Sequence, residues 1–263
     1  MSGSTLTPDQ MTALAQSQAS KLRVARQALP PIIGQGFVGS VPGHRVTKGR
    51  NLCVRPNQQL QPLQMSRHFF LHKEQSADDS TLNALITFAA ADIAQAEDAV
   101  ILLGPEAGPV LEKLNIDLTD PEDLREQPSL FHYKQPKVAK PILESVLEGI
   151  KTLRERGQSG DYYVIGSSDL FEEAHINRHA PLDAPIYQIQ PLLASSGFLF
   201  SEVVPEKTGV IFSLARNTIS LAVPMDTFID TSLPNDSEGR PRFAVSEQIR
   251  LVIDDPEARA ELK

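Results

Sequence analysis

The chain has 263 residues, of which 41% are hydrophobic and 22% are charged. This composition is typical of a globular protein and excludes disordered, collagen-like and coiled-coil chains. The formal net charge of −8 conceals an uneven distribution, because no acidic residue occurs between Gln10 and Lys73.

The first quarter of the chain is basic and the remainder is acidic. Nine basic residues fall in the acid-free segment: Lys21, Arg23, Arg26, Arg45, Lys48, Arg50, Arg55, Arg67 and Lys73. Beyond Lys73 lie 16 of the 25 basic residues and 32 of the 33 acidic residues. Opposite charge in two parts of one chain favours self-association, with nucleic acid as the rival partner. A chance segregation of solvated charges explains the same pattern without any partner.

Cysteine usage and hydropathy predict a cytoplasmic protein without a membrane span. Cys53 is the single cysteine, so neither an intramolecular disulfide nor a cysteine-based zinc finger can form. Residues 1–10 lack the basic residue and the apolar run of a signal peptide. The uncharged stretches 83–91 and 184–201 are too short or too interrupted by polar residues and proline to span a bilayer.

A helix followed by a protruding arm is predicted at the start of the chain. Thr7-Pro8-Asp9-Gln10 combines a capping residue, a proline and a glutamine that can reach back to the cap. A thin apolar face continues until Pro30-Pro31, through Leu14, Ala15, Gln18, Leu22, Ala25 and Leu29. Residues 32–64 are rich in glycine and proline, which indicates a hairpin arm. Residues 64–73 are predicted to be a strand, the return leg of that hairpin.

The clearest helix starts at the capping residues 78–80. Its apolar side chains recur at spacings of three and four, which predicts a long buried helix, through Leu82, Leu85, Ile86, Ala89, Ala90, Ile93 and Ala94 to Glu97. Residues 99–103 are predicted to be a strand or the last turn of this helix. Residues 119–136, which are acidic and punctuated by proline, are predicted to be a loop.

The second half of the chain mixes helices with short strands. An amphipathic helix is predicted from about Val138 to Gly157, then a strand at 162–165 and a short helix at 170–174. Further strands are predicted at 186–189, 198–204, 209–214, 220–223 and 248–252. Helices segregated from antiparallel strands indicate the α+β class.

No catalytic constellation emerges from the polar residues. His175 with His179, and His68 with His72, have helical spacing but lack a third ligand and the glutamate of H-E-x-x-H. Gly166-Ser167-Ser168 lacks the G-x-S-x-G elbow of a hydrolase. The sequence therefore predicts a protein that is not an enzyme and holds no metal or cofactor. An α+β enzyme acting near Ser167 or His175 is the least favoured alternative.

Four segments, in the expected order, resemble the encapsulins, the linocin-like bacterial shell proteins. Residues 90–104 resemble the family's spine helix and following strand, and residues 141–165 its second long helix and strand. Asn177-Arg178-His179-Ala180-Pro181-Leu182 lies where the family has a pore-side loop, and residues 246–258 resemble the C-terminal strand and Pro-Glu-Ala turn. Residues 37–43 are only loosely similar to the family's F-V-D-V-E-G-P-like run and contain no acidic residue. Residues 230–242 look like a polar insertion.

The resemblance implies the Hong Kong 97 phage capsid-like fold, with a peripheral domain, an axial domain and an extended loop. Residues 1–43 would hold the N-terminal helix and the start of the peripheral domain, and residues 44–75 the extended loop. Residues 76–135 would form the peripheral domain with the spine helix, and residues 136–223 the axial domain. Residues 224–263 would return to the peripheral domain.

The resemblance also implies a structural function. The chain would self-assemble into an icosahedral nanocompartment in the cytoplasm and enclose a ferritin-like or peroxidase cargo enzyme, bound through a targeting peptide. Asn177, Arg178 and His179 would line a pore. The cargo groove would involve Leu22, Ala25, Leu29, Ile249 and Leu251. A phage or provirus capsid protein that packages DNA shares the fold and is the main alternative.

Overall fold

The computed structural model describes residues 6–29, 31–33, 41–48, 52–72, 79–131, 137–176 and 184–263. The helices are α1 (Pro8–Leu22), α2 (Ala25–Ala28), α3 (Asp79–Leu103), α4 (Gly108–Lys113), α5 (Pro121–Arg125), α6 (Ile142–Glu155), α7 (Ser168–His175) and α8 (Ile186–Ile189). The strands are β1 (Pro31–Ile33), β2 (Val41–Lys48), β3 (Leu52–Leu60), β4 (Leu63–Phe70), β5 (Asp117–Leu118), β6 (Tyr162–Gly166), β7 (Phe198–Phe200), β8 (Gly209–Ser213), β9 (Ile219–Asp230), β10 (Arg242–Ile253) and β11 (Arg259–Glu261).

Helix α1 begins where the sequence predicts but buries a different face. The capping box at Thr7 and Gln10 is formed, with the Gln10 amide donating to Thr7 Oγ1 at 3.3 Å. The buried residues are Met11, Ala15 and Ala19, spaced by four. Of the predicted apolar face, Ala15, Ala25 and Leu29 are fully buried, but Leu22 is 53% exposed. Alanine at two of three buried positions lets α1 lie close against α3.

The predicted hairpin arm is present, but its return leg is β3 and not β4. Strands β2 and β3 pair antiparallel from Val41 opposite Leu60 to Lys48 opposite Leu52. Strand β4 instead pairs along its whole length with β10. Its alternate residues Leu63 and Met65 are fully buried, so β4 belongs to the core.

The spine helix, α3, runs for 25 residues, and its buried residues extend from Leu82 to Leu102. Residues 99–103 are its last turns, so the strand considered there is wrong. The helix stops at Gly104, which has a φ of 57°. A β-carbon at this position would lie 2.8 Å from Ser129 Cβ, so both the backbone angle and the close approach require glycine.

The described strands form two core sheets beside the arm. One has the order β1-β9-β10-β4-β5 and the other the order β11-β8-β6-β7. Pairs β1–β9 and β6–β7 are parallel, and the remaining pairs are antiparallel. The α+β class is confirmed. Strand β11 joins the second sheet, and the domain boundaries inferred from the resemblance stay a prediction.

The described part of the chain has two hydrophobic clusters. The larger cluster unites α1, α3 and the five-stranded sheet, and the smaller unites α6, α7 and one face of the four-stranded sheet. Residues 186–189 are a helix and not a strand, because Ile186 and Ile189 are both buried at a spacing of three. Within the described residues, no helix is long and apolar enough to cross a membrane.

Candidate functional site

A buried ion cluster fixes the N-terminal segment to the body of the protein. Arg23 Nε lies 2.6 Å from Glu97 Oε2, and its guanidinium also contacts Glu247 and the Thr227 hydroxyl. Arg26 Nε lies 2.6 Å from Glu97 Oε1, and its Nη1 lies 2.9 Å from Asp226 Oδ1. The cluster therefore joins the junction of α1 and α2 to α3, β9 and β10.

The ion cluster carries more negative than positive groups. Arg23 is 3% exposed, and Glu97 and Glu247 are fully buried. Burial, with Glu97 alongside, raises the pKa of Glu247 well above its ordinary range. Burial lowers the pKa of Arg26, but Glu97, Glu247 and Asp226 outweigh it and the net shift is upward. Arg26 therefore stays charged, whereas Glu247 favours its protonated form.

Asp98 holds the elbow, which we define as residues 23–25 at the junction of α1 and α2. Its carboxylate accepts a hydrogen bond from the Ala25 amide at 2.8 Å and from the Val24 amide at 2.9 Å. Asp98 is 3% exposed, and burial raises its pKa to about 7 against the opposing effect of these hydrogen bonds. One nearly buried carboxyl group thus fixes the backbone of the elbow.

The same contacts change the interpretation of the basic first quarter. Arg23 and Arg26 are neutralised inside the ion cluster, and Arg67 Nε lies 2.8 Å from Asp92 Oδ2. These three charges are engaged within the chain and contribute little to an outward-facing basic surface.

A groove with a cavity of about 510 Å³ lies beside the elbow. Its first wall comes from the N-terminal segment, through Lys21, Leu22, Val24 and Gln27. Its floor is one face of α3, formed by Ala91, Asp92, Gln95 and Asp98. Its second wall is β7 with the following turn, residues 198–203, and Phe171 of α7. The groove thus runs along the junction of the two hydrophobic clusters, a common position for a binding site.

Exposed apolar side chains mark the groove as a contact surface. Leu22 and Phe200, on opposite walls, are 53% and 38% exposed. Phe88 is 69% exposed and lies one turn before Ala91 on the same face of α3. Phe171 packs against Phe200 in a tilted arrangement, with ring centroids 4.7 Å apart, which fixes the second wall. An apolar patch with a polar rim is typical of a docking site for another chain.

The predicted groove residues divide between the surface and the core. Leu22 lines the groove, whereas Ala25, Leu29, Ile249 and Leu251 are at most 1% exposed and belong to the larger hydrophobic cluster. The floor and the second wall were not predicted. Phe88 was a usable signal of a second contact surface on α3, because this large apolar residue lies outside the predicted apolar face of the helix.

The other candidate sites show no sign of catalysis. The pore residues Asn177, Arg178 and His179 lie outside the described residues, so their role stays a prediction. Ser167 is 2% exposed and precedes α7 as its capping residue. His175 packs on Phe171, with ring centroids 4.0 Å apart. Among the described residues, no group of three or more histidine, cysteine or acidic side chains could hold a metal.

A family match covers most of the chain. The family Linocin_M18, described as "Encapsulating protein for peroxidase", matches residues 58–249. The chain belongs to the encapsulin family. Membership makes it a shell protein that self-assembles around a cargo, and not an enzyme. Among curated proteins, none matches the chain.

Solved structures share the encapsulin-family fold at low sequence identity. The virus-like particle from Pyrococcus furiosus aligns with a TM-score of 0.70 at 14% identity, covering 97% of this chain and 98% of that one. The holo-SrpI encapsulin complex from Synechococcus elongatus PCC 7942 aligns with a TM-score of 0.57 at 10% identity, covering 91% and 86%. The capsid of Myoviridae phage XM1 gives 0.57 at 10% identity, covering 91% of each. The fold is therefore the Hong Kong 97 capsid-like fold.

Proposed function

We propose that the groove between the elbow, α3 and β7 binds an apolar targeting segment of the cargo protein, so that the closed shell is loaded as it assembles. The observation that carries this proposal is the pair Leu22 and Phe200, which are exposed on opposite walls of one cavity. A cavity of about 510 Å³ falls in the range of ligand sites and suits a few apolar side chains. A cargo of peroxidase class fits the family's description.

We also infer that the arm contacts a neighbouring copy of the chain. Strands β2 and β3 pair with each other to form a separate two-stranded sheet. A two-stranded hairpin is marginally stable in water, so it needs a further surface on which to pack. The arm is basic and the chain after Lys73 is strongly acidic. Opposite charge then orients the arm on the next subunit.

The closed icosahedral shell is tested with the chain expressed alone. We expect size-exclusion chromatography to give a large species, and negative-stain imaging to show uniform hollow particles with a protein-like ratio of absorbance at about 260 and 280 nm. The same particles with the absorbance of nucleic acid would support the alternative of a DNA-packaging capsid. A species of 28.8 kDa would contradict both.

The groove is tested by placing a charge on its first wall. The protein that copurifies with wild-type shells is identified, and its terminal segments are fused to a fluorescent protein. We expect Leu22→Asp to lower the number of fusion molecules per shell by about tenfold, since an apolar anchor is replaced by a desolvated charge. Fluorescence per assembled shell measures the loading.

Leu147→Asp is the matched control, because Leu147 is a 46% exposed leucine on α6 outside the groove. Its loading per shell should equal that of the wild type. Equal loading in both variants would show that the cargo binds elsewhere.

A further inference from the structure

The strand β7 lies at the end of its sheet and borders the groove. In the order β11-β8-β6-β7, one edge of β7 has no neighbour among the strands that the structure describes. All three residues of β7 line the groove. A strand that presented one face would contribute only alternate residues, so the groove runs along the edge of β7.

The hydrogen bonds between β6 and β7 identify the backbone groups at this edge. An amide of β6 donates to the Gly197 carbonyl at 2.6 Å, and the Ser201 amide donates to a carbonyl of β6 at 3.1 Å. Successive residues of a strand direct their backbone groups to opposite sides, so those of Phe198 and Phe200 point away from β6. Two amides and two carbonyls therefore face the groove, with no hydrogen-bond partner among the described residues.

Both faces of β7 pack against other parts of the protein. The rings of Phe198 and Phe200 lie against Phe171 of α7, with centroids 6.0 and 4.7 Å away. Leu199 lies on the opposite face and packs against the larger hydrophobic cluster. A ligand that follows β7 therefore lies beside the strand and not across one of its faces.

We propose that the targeting segment binds as an added β-strand, which pairs with the outer edge of β7 and extends the four-stranded sheet. The identity of the occupant rests on the proposed function, and the mode of binding rests on the geometry of β7. Unpaired backbone groups of an edge strand are a template for a further strand, and the new hydrogen bonds supply affinity.

The dimensions of the groove fit a short extended segment. Its floor on α3, from Ala91 to Asp98, is about 10 Å long at about 1.5 Å per residue. An extended strand covers this length with about three residues. The added strand would continue both faces of β7, and a strand covered on both faces is a continuous apolar run. We therefore expect a targeting segment with about three consecutive apolar residues and no proline among those that donate to β7.

Hydrogen exchange of intact shells locates the new hydrogen bonds. Shells of the chain expressed alone are compared, with resolution of single amides, with shells loaded with the fluorescent fusion. In the subunits that carry the segment, we expect exchange at Phe198 and Phe200 to slow about tenfold or more. The Leu199 amide faces β6 in both samples and is the internal control. Full protection of Phe198 and Phe200 in unloaded shells would show that the shell protein itself occupies this edge, which overturns the proposal.

A proline scan of the fused segment separates strand addition from other modes of binding. Each position is replaced by proline, with alanine at the same position as the matched control, and fluorescence per shell is measured. We expect the ratio of proline to alanine loading to fall about tenfold at every second position, where proline removes an amide that donates to β7. A ratio that does not alternate overturns strand addition.

The Leu22→Asp shells distinguish this failure from a failure of the proposed function. Loading that Leu22→Asp lowers, without alternation in the scan, would show that the groove binds the segment in another conformation. Loading that is equal in wild-type and Leu22→Asp shells would show that the cargo binds elsewhere, and both proposals would then be wrong.

Discussion

Replacing Arg23 with methionine is expected to lower the free energy of unfolding by about 3–5 kcal/mol, the usual cost of removing one partner from a buried ion pair. Arg23 contacts Glu97, Glu247 and Asp226 at once. Its loss would leave two fully buried carboxyl groups with Arg26 as the remaining cation of the ion cluster. Chemical denaturation of the disassembled chain measures the effect as a shift of the unfolding midpoint.

Arg125→Met is the control for this experiment. Arg125 also pairs with a carboxylate, Glu122 at 2.9 Å, but its side chain is 76% exposed. An exposed pair contributes about 0–1 kcal/mol, so the variant should unfold close to the wild type. Similar shifts in the two variants would show that the ion cluster has no special part in stability.

Replacing Val41–Leu60 with a short glycine-serine linker is expected to abolish shell assembly while leaving the subunit folded. The two core sheets pair without β2 or β3, so their hydrogen bonds survive the change. The variant should elute at the size of a single subunit, 28.8 kDa, with the far-ultraviolet circular dichroism of a folded protein. Shells that still form would show that the arm is dispensable.

A second arm variant separates charge from backbone pairing. Glutamine in place of Arg45, Lys48, Arg50 and Arg55 keeps the length of the arm and removes its positive charge. We expect assembly to be slower and no longer to depend on ionic strength. Salt acts by screening the electrostatic attraction between the arm and the neighbouring subunit, and the variant lacks that attraction. Assembly with an unchanged dependence on salt would contradict the charge-based orientation.

The parts of the fold set by local chemistry could be predicted from the sequence. The capping box at Thr7 and the three-to-four spacing along α3 each act within one or two turns, so they are visible in a single stretch of chain. The short apolar run 186–189 is predicted to be a strand but forms a helix, since such a run fits a strand or a buried helical turn equally well. The prediction that the chain assembles into a shell came from the family resemblance. Local patterns of this kind carry no information about contacts between copies of the chain.

The candidate site was harder to predict because it depends on long-range neighbours. Arg23 and Arg26 looked like free positive charges in the sequence, and their acidic partners on α3, β9 and β10 come from distant segments. The groove likewise joins α1, α3 and β7, and no local pattern brings these together. Of the predicted groove residues, Leu22 lines the cavity, because the alanines and not the leucine face α3.

The pairing of Arg23 with Glu247 has a consequence for synthesis on the ribosome, since the two residues are 224 positions apart. At about 5–20 residues per second, about ten seconds or more pass between translation of the first and of the second. Throughout that time the N-terminal segment lacks the strand to which it is anchored. We therefore expect the elbow to be placed only as translation ends, so that a nascent chain cannot capture cargo and loading is confined to finished subunits.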